Sequence, residues 1–256
     1  ATVGREVEDE YIKKLKTLCL NRGIGDKSSG GFKIVYTPLN GTGNKPVRRI
    51  LEETGFKDVL VVPEQEFPDP SFSTVRLPNP EDRAAFSLVL KLACRENADI
   101  IIGNDPDCDR TGILFRNKQG EYVSLTGNQV GCILMEYVLS QKKAKGELPG
   151  NGFVIKTIVS TEMARAVAEY YDVELVEVLT GFKFIGEKIK NMDEFGDKKF
   201  LFGFEESYGY LAGTFVRDKD GVVTSMLAAE MAAFYKSKGF TLQEVLEQMY
   251  ERYGHT

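Results

Sequence analysis

The 256-residue sequence has no tryptophan and a single histidine, His255, next to its last residue. Catalysis through a Ser–His or Cys–His pair would have to rest on that one terminal position, which argues against both chemistries. Cysteine is scarce too. Cys19, Cys94, Cys108 and Cys132 are scattered without ligand-like spacing and read as reduced intracellular thiols. No apolar run approaches the roughly 20 residues that cross a bilayer. The opening Ala1-Thr2-Val3-Gly4-Arg5-Glu6 lacks the apolar segment of a secretory signal. Positive charge is not in excess, and a formal charge of −5 disfavours a nucleic-acid binder. These absences lead to the expectation of a soluble, cytoplasmic protein with no membrane or nucleic-acid partner. At 42% hydrophobic residues it has material for one large domain or two of ordinary size.

One stretch is rich in chemistry. Ile100-Ile101-Ile102 reads as a buried strand that stops at Gly103, and Asp105, Asp107 and Asp109 follow at alternate positions. So much like charge in one loop repels itself unless a cation sits among it. Hard oxygen ligands without His or Cys beside them suit Mg²⁺. Arg110 is the natural partner for a substrate phosphate, since its planar fork can hold two oxygens. The plainer alternative is a solvated Asp-rich turn. A calcium-binding EF-hand is excluded, because Arg110 and Arg116 stand where that loop needs Gly and Glu. Cys108 is a spacer, as a hard cation does not want a thiolate.

Around this stretch the pattern alternates between strand and helix. Residues 1–22 read as one helix, ended by Gly23 and Gly25. Strands follow at 31–38 and 58–63, with a Gly-rich loop at 39–45 opening a helix at Pro46. That loop could bind an anion at the helix N-terminus, with an ordinary turn as the plainer reading. Asn79 and Pro80 look like the cap and first residue of a helix whose buried stripe is Phe86, Val89, Leu90 and Ala93. A further helix shows its apolar face at Val130, Ile133, Leu134, Tyr137 and Val138, and the polar stretch 141–150 reads as a linker.

The plan then repeats. Strand 153–159 leads to a helix capped near Ser160 or Thr161, and strand 173–179 leads to Thr180-Gly181-Phe182-Lys183 and another helix. Strand 199–203 ends in Glu205-Glu206-Ser207, and Thr241 with Glu244 forms a capping box on the closing helix. Adjacent carboxylates followed by a hydroxyl can bind sugar hydroxyls. In an extended segment Glu205 and Ser207 point one way and Glu206 the other. The alternative is that these glutamates are surface charges. The expected architecture is α/β: two consecutive three-layer α/β/α domains with mixed sheets, at 31–145 and 151–256, preceded by a helical tail at 1–30.

Asp105-Pro106-Asp107-Cys108-Asp109-Arg110 resembles the metal loop of the α-D-phosphohexomutases, the phosphoglucomutase/phosphomannomutase family, and Gly203-Phe204-Glu205-Glu206-Ser207-Tyr208-Gly209 resembles its sugar-binding loop. The resemblance implies interconversion of hexose 1- and 6-phosphates through a phosphoserine and a sugar 1,6-bisphosphate, with Mg²⁺ on the aspartates. It implies that Glu205 and Ser207 contact the sugar, with Thr180, Gly181 and Lys183 near it. Arg217-Asp218-Lys219-Asp220-Gly221 is similar to the family's Arg-Glu-Lys-Asp-Gly segment, which makes Lys219 a proton shuttle if its site lowers its pKa.

Two features depart from the family. Relatives often carry His where Asn40 stands. The Thr-Ala-Ser-His-Asn-Pro-like segment bearing the catalytic serine is not found, nor is the fourth domain's phosphate loop, and Ser28-Ser29-Gly30 and Ser160-Thr161 lack the flanking residues to replace them. The expectation is therefore the middle of a longer mutase, with residues 1–30 a tail of its first domain, inactive by itself. Alternatives are a phosphomannomutase or phosphopentomutase of the same family, an aspartate-nucleophile phosphatase, or a non-enzymatic sugar-phosphate-binding module.

Overall fold

The computed structural model describes residues 4–27 and 31–254, so Ser28-Ser29-Gly30 and His255 lie outside the described residues. The helix expected over 1–22 is shorter: α1 spans Arg5–Thr17, and α2 (Ile24–Lys27) is a separate turn. The first sheet follows, with β1 (Lys33–Thr37), α3 (Asn44–Glu53), β2 (Asp58–Val61), α4 (Ser87–Glu96), β3 (Ile100–Asn104), β4 (Thr111–Arg116) and β5 (Tyr122–Ser124). After α5 (Gly127–Ala144) comes the second sheet, with β6 (Gly152–Thr157), α6 (Met163–Tyr170), β7 (Glu174–Val178), α7 (Phe182–Phe195), β8 (Lys199–Glu205) and β9 (Gly209–Leu211). Helices α8 (Gly221–Ser237) and α9 (Leu242–Tyr253) close the chain.

The strand orders are β2-β1-β3-β4-β5 and β7-β6-β8-β9. Each sheet has parallel strands followed by an antiparallel hairpin, so both are mixed and the class is α/β as expected. β1 and β3 are near-continuous apolar runs because they are covered on both faces. On one face Val35, Ile101 and Leu114 meet Phe86, Val89 and Ala93 of the α4 side, and on the other Ile34, Ile100 and Ile102 enter a larger core. The Asp-rich loop and the loop at 206–208 are the hairpin turns of the two sheets, β3–β4 and β8–β9.

The two sheets exchange helices. α5 follows the first sheet in sequence but lies on the second, where Gly127 and Gly131, one turn apart, let it approach closely. A Cβ on Gly131 would overlap the Phe204 ring, and one on Gly127 would overlap the Glu206 carbonyl oxygen. α8 follows the second sheet and returns to the first, where the Gly221 amide donates to the Cys108 carbonyl at 2.9 Å. Buried Glu230 of α8 accepts from the Leu20 amide at 3.0 Å and from the Tyr137 hydroxyl of α5 at 2.7 Å. One continuous core therefore runs through both sheets.

Several local expectations are corrected. Asn79 caps only a turn, through the Glu81 amide, while the helical stretch starts at Arg83 as a 3-10 turn capped by Asp82. The first residues of the expected linker are helical, because α5 runs to Ala144. α6 starts at Met163, whose amide donates to Thr161 Oγ1 at 3.3 Å, so of the two expected cap residues Thr161 meets a helix amide while Ser160 spends its hydroxyl on Thr157. The Thr241–Glu244 capping box is present, and a second, Thr126 with Gln129, starts α5. Among the described residues no helix is long and apolar enough to cross a membrane.

Candidate metal and sugar-phosphate site

β3 ends at Asn104, a buried amide that closes the following loop by donating to the Arg110 carbonyl and to Thr111 Oγ1, both at 2.9 Å. Inside that clasp Asp105 Oδ1 accepts from the amides of Asp109 (3.1 Å) and Arg110 (2.9 Å). Cys108 takes a left-handed φ of +59°, uncommon for a side-chain-bearing residue, and the αL turn frees its carbonyl for Gly221. The thiol is buried against Gly43 and the Tyr36 hydroxyl, and burial holds its pKa well above the ordinary value, which fits a spacer. A carboxylate oxygen from each of Asp105, Asp107 and Asp109 lies within 4.8 Å of the others. Burial pushes the Asp105 carboxyl up to about 7; the Arg110 amide opposes this and the charges of Asp109 and Asp107 add to it.

This donor set fits Mg²⁺. The ligands are all hard oxygens; at least two of the three pairs would sit at adjacent octahedral corners, about 3.0 Å apart for Mg–O near 2.1 Å, so the carboxylates would draw together on binding. Arg110 stands at the rim, with Nε 3.8 Å from Asp105 and 4.0 Å from Asp109, and a terminal nitrogen 3.7 Å from Glu81. That Nε is buried without a hydrogen-bond partner, and the two aspartates at ion-pair distance are what compensate it.

The Gly-rich loop at 39–45 has a role the sequence did not reveal. Gly41 packs so tightly on the Pro106 backbone that a Cβ there would overlap it, and the Thr42 amide donates to the Pro106 carbonyl at 2.8 Å. Asn40 spends its amide on the carbonyls of Glu64 and Phe67 and accepts from Thr74, so it is fully engaged in bracing the Pro-rich segment.

The loop at 206–209 is zipped to the Asp-rich loop by backbone. Arg110 forms an antiparallel bridge with Gly209, and the Thr111 amide donates to the Tyr208 carbonyl at 3.0 Å. Glu205, the last residue of β8, is buried, which raises its carboxyl pKa against the opposing charge of Lys219. Lys219 passes over Gly209 beside Glu205 and reaches Asp109 Oδ2 at 3.1 Å and Asp218 at 3.3 Å.

The lowered pKa expected for Lys219 is not found. Burial alone would lower it, but the hydrogen bond and charge of Asp109, with Asp218 and Glu205, lift it above the ordinary value. That holds Lys219 as an ammonium, a charge and hydrogen-bond donor rather than a base. The extended geometry expected for 205–207 is also absent. Residues 206–208 form a turn with Tyr208 at φ +64°, and the Ser207 hydroxyl faces Glu206 Oε1 at 3.4 Å instead of running parallel to Glu205.

Gly181, at φ +117°, caps α7, and the ring of Phe182 lies 5.5 Å beneath the Lys219 ammonium. Thr180 and Lys183 are exposed, with the Lys183 ammonium 5.0 Å over the Phe184 ring. The fold thus gathers Asp105, Asp107, Asp109, Arg110, Lys219 and Glu205 into one cluster, with Thr180, Gly181 and Lys183 at the adjoining helix start.

Comparison with known proteins agrees with this fold. Residues 9–120 match the family model for phosphoglucomutase/phosphomannomutase alpha/beta/alpha domain II, and residues 126–253 match that for domain III. The chain belongs to the phosphoglucomutase/phosphomannomutase family. A Staphylococcus aureus (strain USA300) phosphoglucomutase is 38% identical over 250 residues, 98% of this chain and 43% of that protein. The chain therefore spans less than half the length of the curated relatives it matches. A putative phosphomannomutase from Thermus thermophilus shares the fold with a TM-score of 0.76 at 23% identity, over 98% of this chain and 52% of that one. An Aspergillus fumigatus N-acetylphosphoglucosamine mutase, solved with GlcNAc-6P and magnesium, has a TM-score of 0.62 at 14% identity, over 96% of this chain and 53% of its own. The phosphoglucomutase/phosphomannomutase domain III match begins just before α5, the helix that packs on the second sheet.

Proposed function

We propose that this chain carries the metal and sugar sites of a cytoplasmic phosphoglucomutase-type enzyme that interconverts hexose 1- and 6-phosphates. In this reading the phosphoserine that exchanges phosphoryl groups through a sugar 1,6-bisphosphate lies outside these 256 residues. The observation that carries the reading is the backbone bridge that holds three clustered aspartates beside Glu205, with Lys219 spanning the two loops. Asp105, Asp107 and Asp109 hold Mg²⁺. When bound, the metal neutralises charge on a phosphoryl group in flight, a reaction that depends mainly on positioning and electrostatics. Arg110, at the rim of the aspartate cluster, offers its guanidinium fork to phosphate oxygens. Glu205 and Ser207 bind sugar hydroxyls, with Thr180, Gly181 and Lys183 bordering the ring. Lys219 keeps its proton near the reacting hydroxyl. The helix exchange supports a unit boundary before α5 rather than after it.

Two measurements test this. Asp107→Ala is expected to weaken Mg²⁺ binding by calorimetry at least tenfold, and unchanged affinity removes the metal site. A coupled assay of glucose 1-phosphate conversion is expected to show turnover in the intact protein and none with residues 1–256 alone. Clear turnover by the isolated chain overturns the external phosphoserine. A stable beryllium fluoride adduct would favour an aspartyl-phosphate enzyme instead.

A further inference from the structure

Glu206 stands between the two residues assigned to the sugar, yet its carboxylate is tied to the second sheet rather than to Lys219 or Asp109. Oε2 accepts from Thr157 Oγ1 at 3.1 Å. Thr157, the last residue of β6, is fully buried, and its hydroxyl lies 2.7 Å from that of Ser160, itself buried. A hydroxyl carries one proton, so with Thr157 donating to Glu206 the Ser160 hydroxyl must donate to Thr157. The chain is directional: Ser160 to Thr157 to Glu206.

Its far end is fixed as well. The Ser160 carbonyl accepts from the buried ammonium of Lys156 at 3.1 Å, and that ammonium is held at 2.8 Å by both Glu162 and Glu177. On the other side of Glu206, Gly127 of α5 presses against its carbonyl oxygen. The side chain of Glu206 is therefore tied to the second sheet and its backbone packs on α5, while Ser207, next to it in the same turn, meets Glu206 at 3.4 Å.

We propose that Glu206 is the positioning residue of the sugar loop. It contacts no substrate, and through the Thr157–Ser160 hydroxyl chain it sets where the Ser207 hydroxyl and the Glu205 carboxylate meet the sugar. The proposal rests on the reading that Glu205 and Ser207 bind the hexose. Misplacement of a binding group by about 1 Å can cost up to about 100-fold, so the effect is large enough to measure.

The test is steady-state kinetics on the intact protein with glucose 1-phosphate, with thermal melting as the control for folding. Glu206→Ala and Thr157→Val are each expected to raise KM about tenfold, and the double variant to be no worse than either, because both cut the same bond. Glu206→Gln and Thr157→Ser keep an acceptor carbonyl and a donor hydroxyl and are expected to stay within about threefold of the parent. Ser207→Ala separates the two ideas. If it leaves KM unchanged, the sugar-site reading fails. If it raises KM while Glu206→Ala does not, the positioning role fails and the sugar site stands. Additive effects of Glu206→Ala and Thr157→Val, or a Glu206→Gln variant as impaired as Glu206→Ala, would make Glu206 a direct ligand and overturn the proposal.

Discussion

Gly127→Ala isolates the contact that docks α5 onto the sugar loop. Alanine is the better helix former by about 1 kcal/mol, so at an open position this change stabilises. At Gly127 the new methyl would overlap the Glu206 carbonyl oxygen, a backbone atom that cannot swing aside as a side chain could. The helix must withdraw by something on the order of 1 Å, and overpacking of that kind costs about 1–3 kcal/mol. The Gly127 carbonyl also accepts from the Tyr210 hydroxyl at 3.1 Å, a bond that the withdrawal stretches. The net expectation is a loss of about 1–2 kcal/mol, or a Tm lower by about 2–8 °C for a chain of this size. Gly150→Ala is the control: a Cβ there meets nothing, and its φ is not in the left-handed region, so Tm should hold or rise. Calorimetric melting of the two variants beside the parent decides the matter. A Gly127→Ala protein as stable as the parent would refute the close approach, and with it the claim that α5 belongs to the second sheet.

The remaining expectations concern charge. The folded pKa of Asp105, about 7, lies above its unfolded value near 3.9, so its ionisation costs stability that is lost progressively as pH rises from about 4 to 7. The metal-free protein should therefore melt lower across that window and Asp105→Asn should flatten the slope; a slope unchanged in Asp105→Asn assigns it elsewhere. Saturating Mg²⁺ should restore the melting temperature at about pH 8, and Mg²⁺ affinity should weaken below about pH 7 as protons compete. Lys219→Met is expected to lower turnover of the intact protein by about 10²–10³, the usual worth of one preorganised hydrogen-bond donor at a reacting centre, and to leave Mg²⁺ affinity equal or tighter. A loss below threefold would remove Lys219 from the chemistry. Lys156→Met should cost about 2 kcal/mol in urea melting, from the bonds to Glu162 and Glu177, and no loss would show that the buried cation is replaceable.

What could be read from sequence was what local chemistry dictates. Ile100-Ile101-Ile102 is apolar at every position because both faces of β3 are covered, and the three alternate aspartates announce themselves without any fold. Thr241 with Glu244 caps α9 as their spacing requires. The misses fall where tertiary packing overrides local signals. Asn79-Pro80 has the form of a helix start, but Asp82, further along, takes the cap by accepting from the Ala84 amide. The exchange of α5 and α8 left no local trace. α8 is buried on nearly every side from Gly221 to Ala233, so it carries no amphipathic stripe to say which sheet it covers. The turn at 206–208 was invisible for a similar reason: period-two reasoning assumes extended backbone, and Tyr208 at φ +64° breaks it.

The Asp-rich loop has to hold like charges close together. Two carboxylates about 5 Å apart repel by about 3 kcal/mol at an effective dielectric constant of about 20, and the loop contains three such groups. Side-chain ties alone would let them splay. The countermeasures here are mostly backbone: the Thr42 amide on Pro106, the Gly221 amide on Cys108 and the Thr111 amide on Tyr208 fix the loop from three directions at 2.8–3.0 Å. Each clamp involves a different element, α3's leading loop, α8 and the sugar hairpin, and two of the three reach across from residues that follow the second sheet or belong to it. The helix exchange is thus what allows the second unit to brace the aspartates of the first. Lys219, on the segment leading into α8, then supplies a close compensating ammonium through Asp109. Charge crowding, backbone clamping and exchanged helices are one solution to one electrostatic problem, and the three backbone clamps are what holds the Asp-rich loop in place.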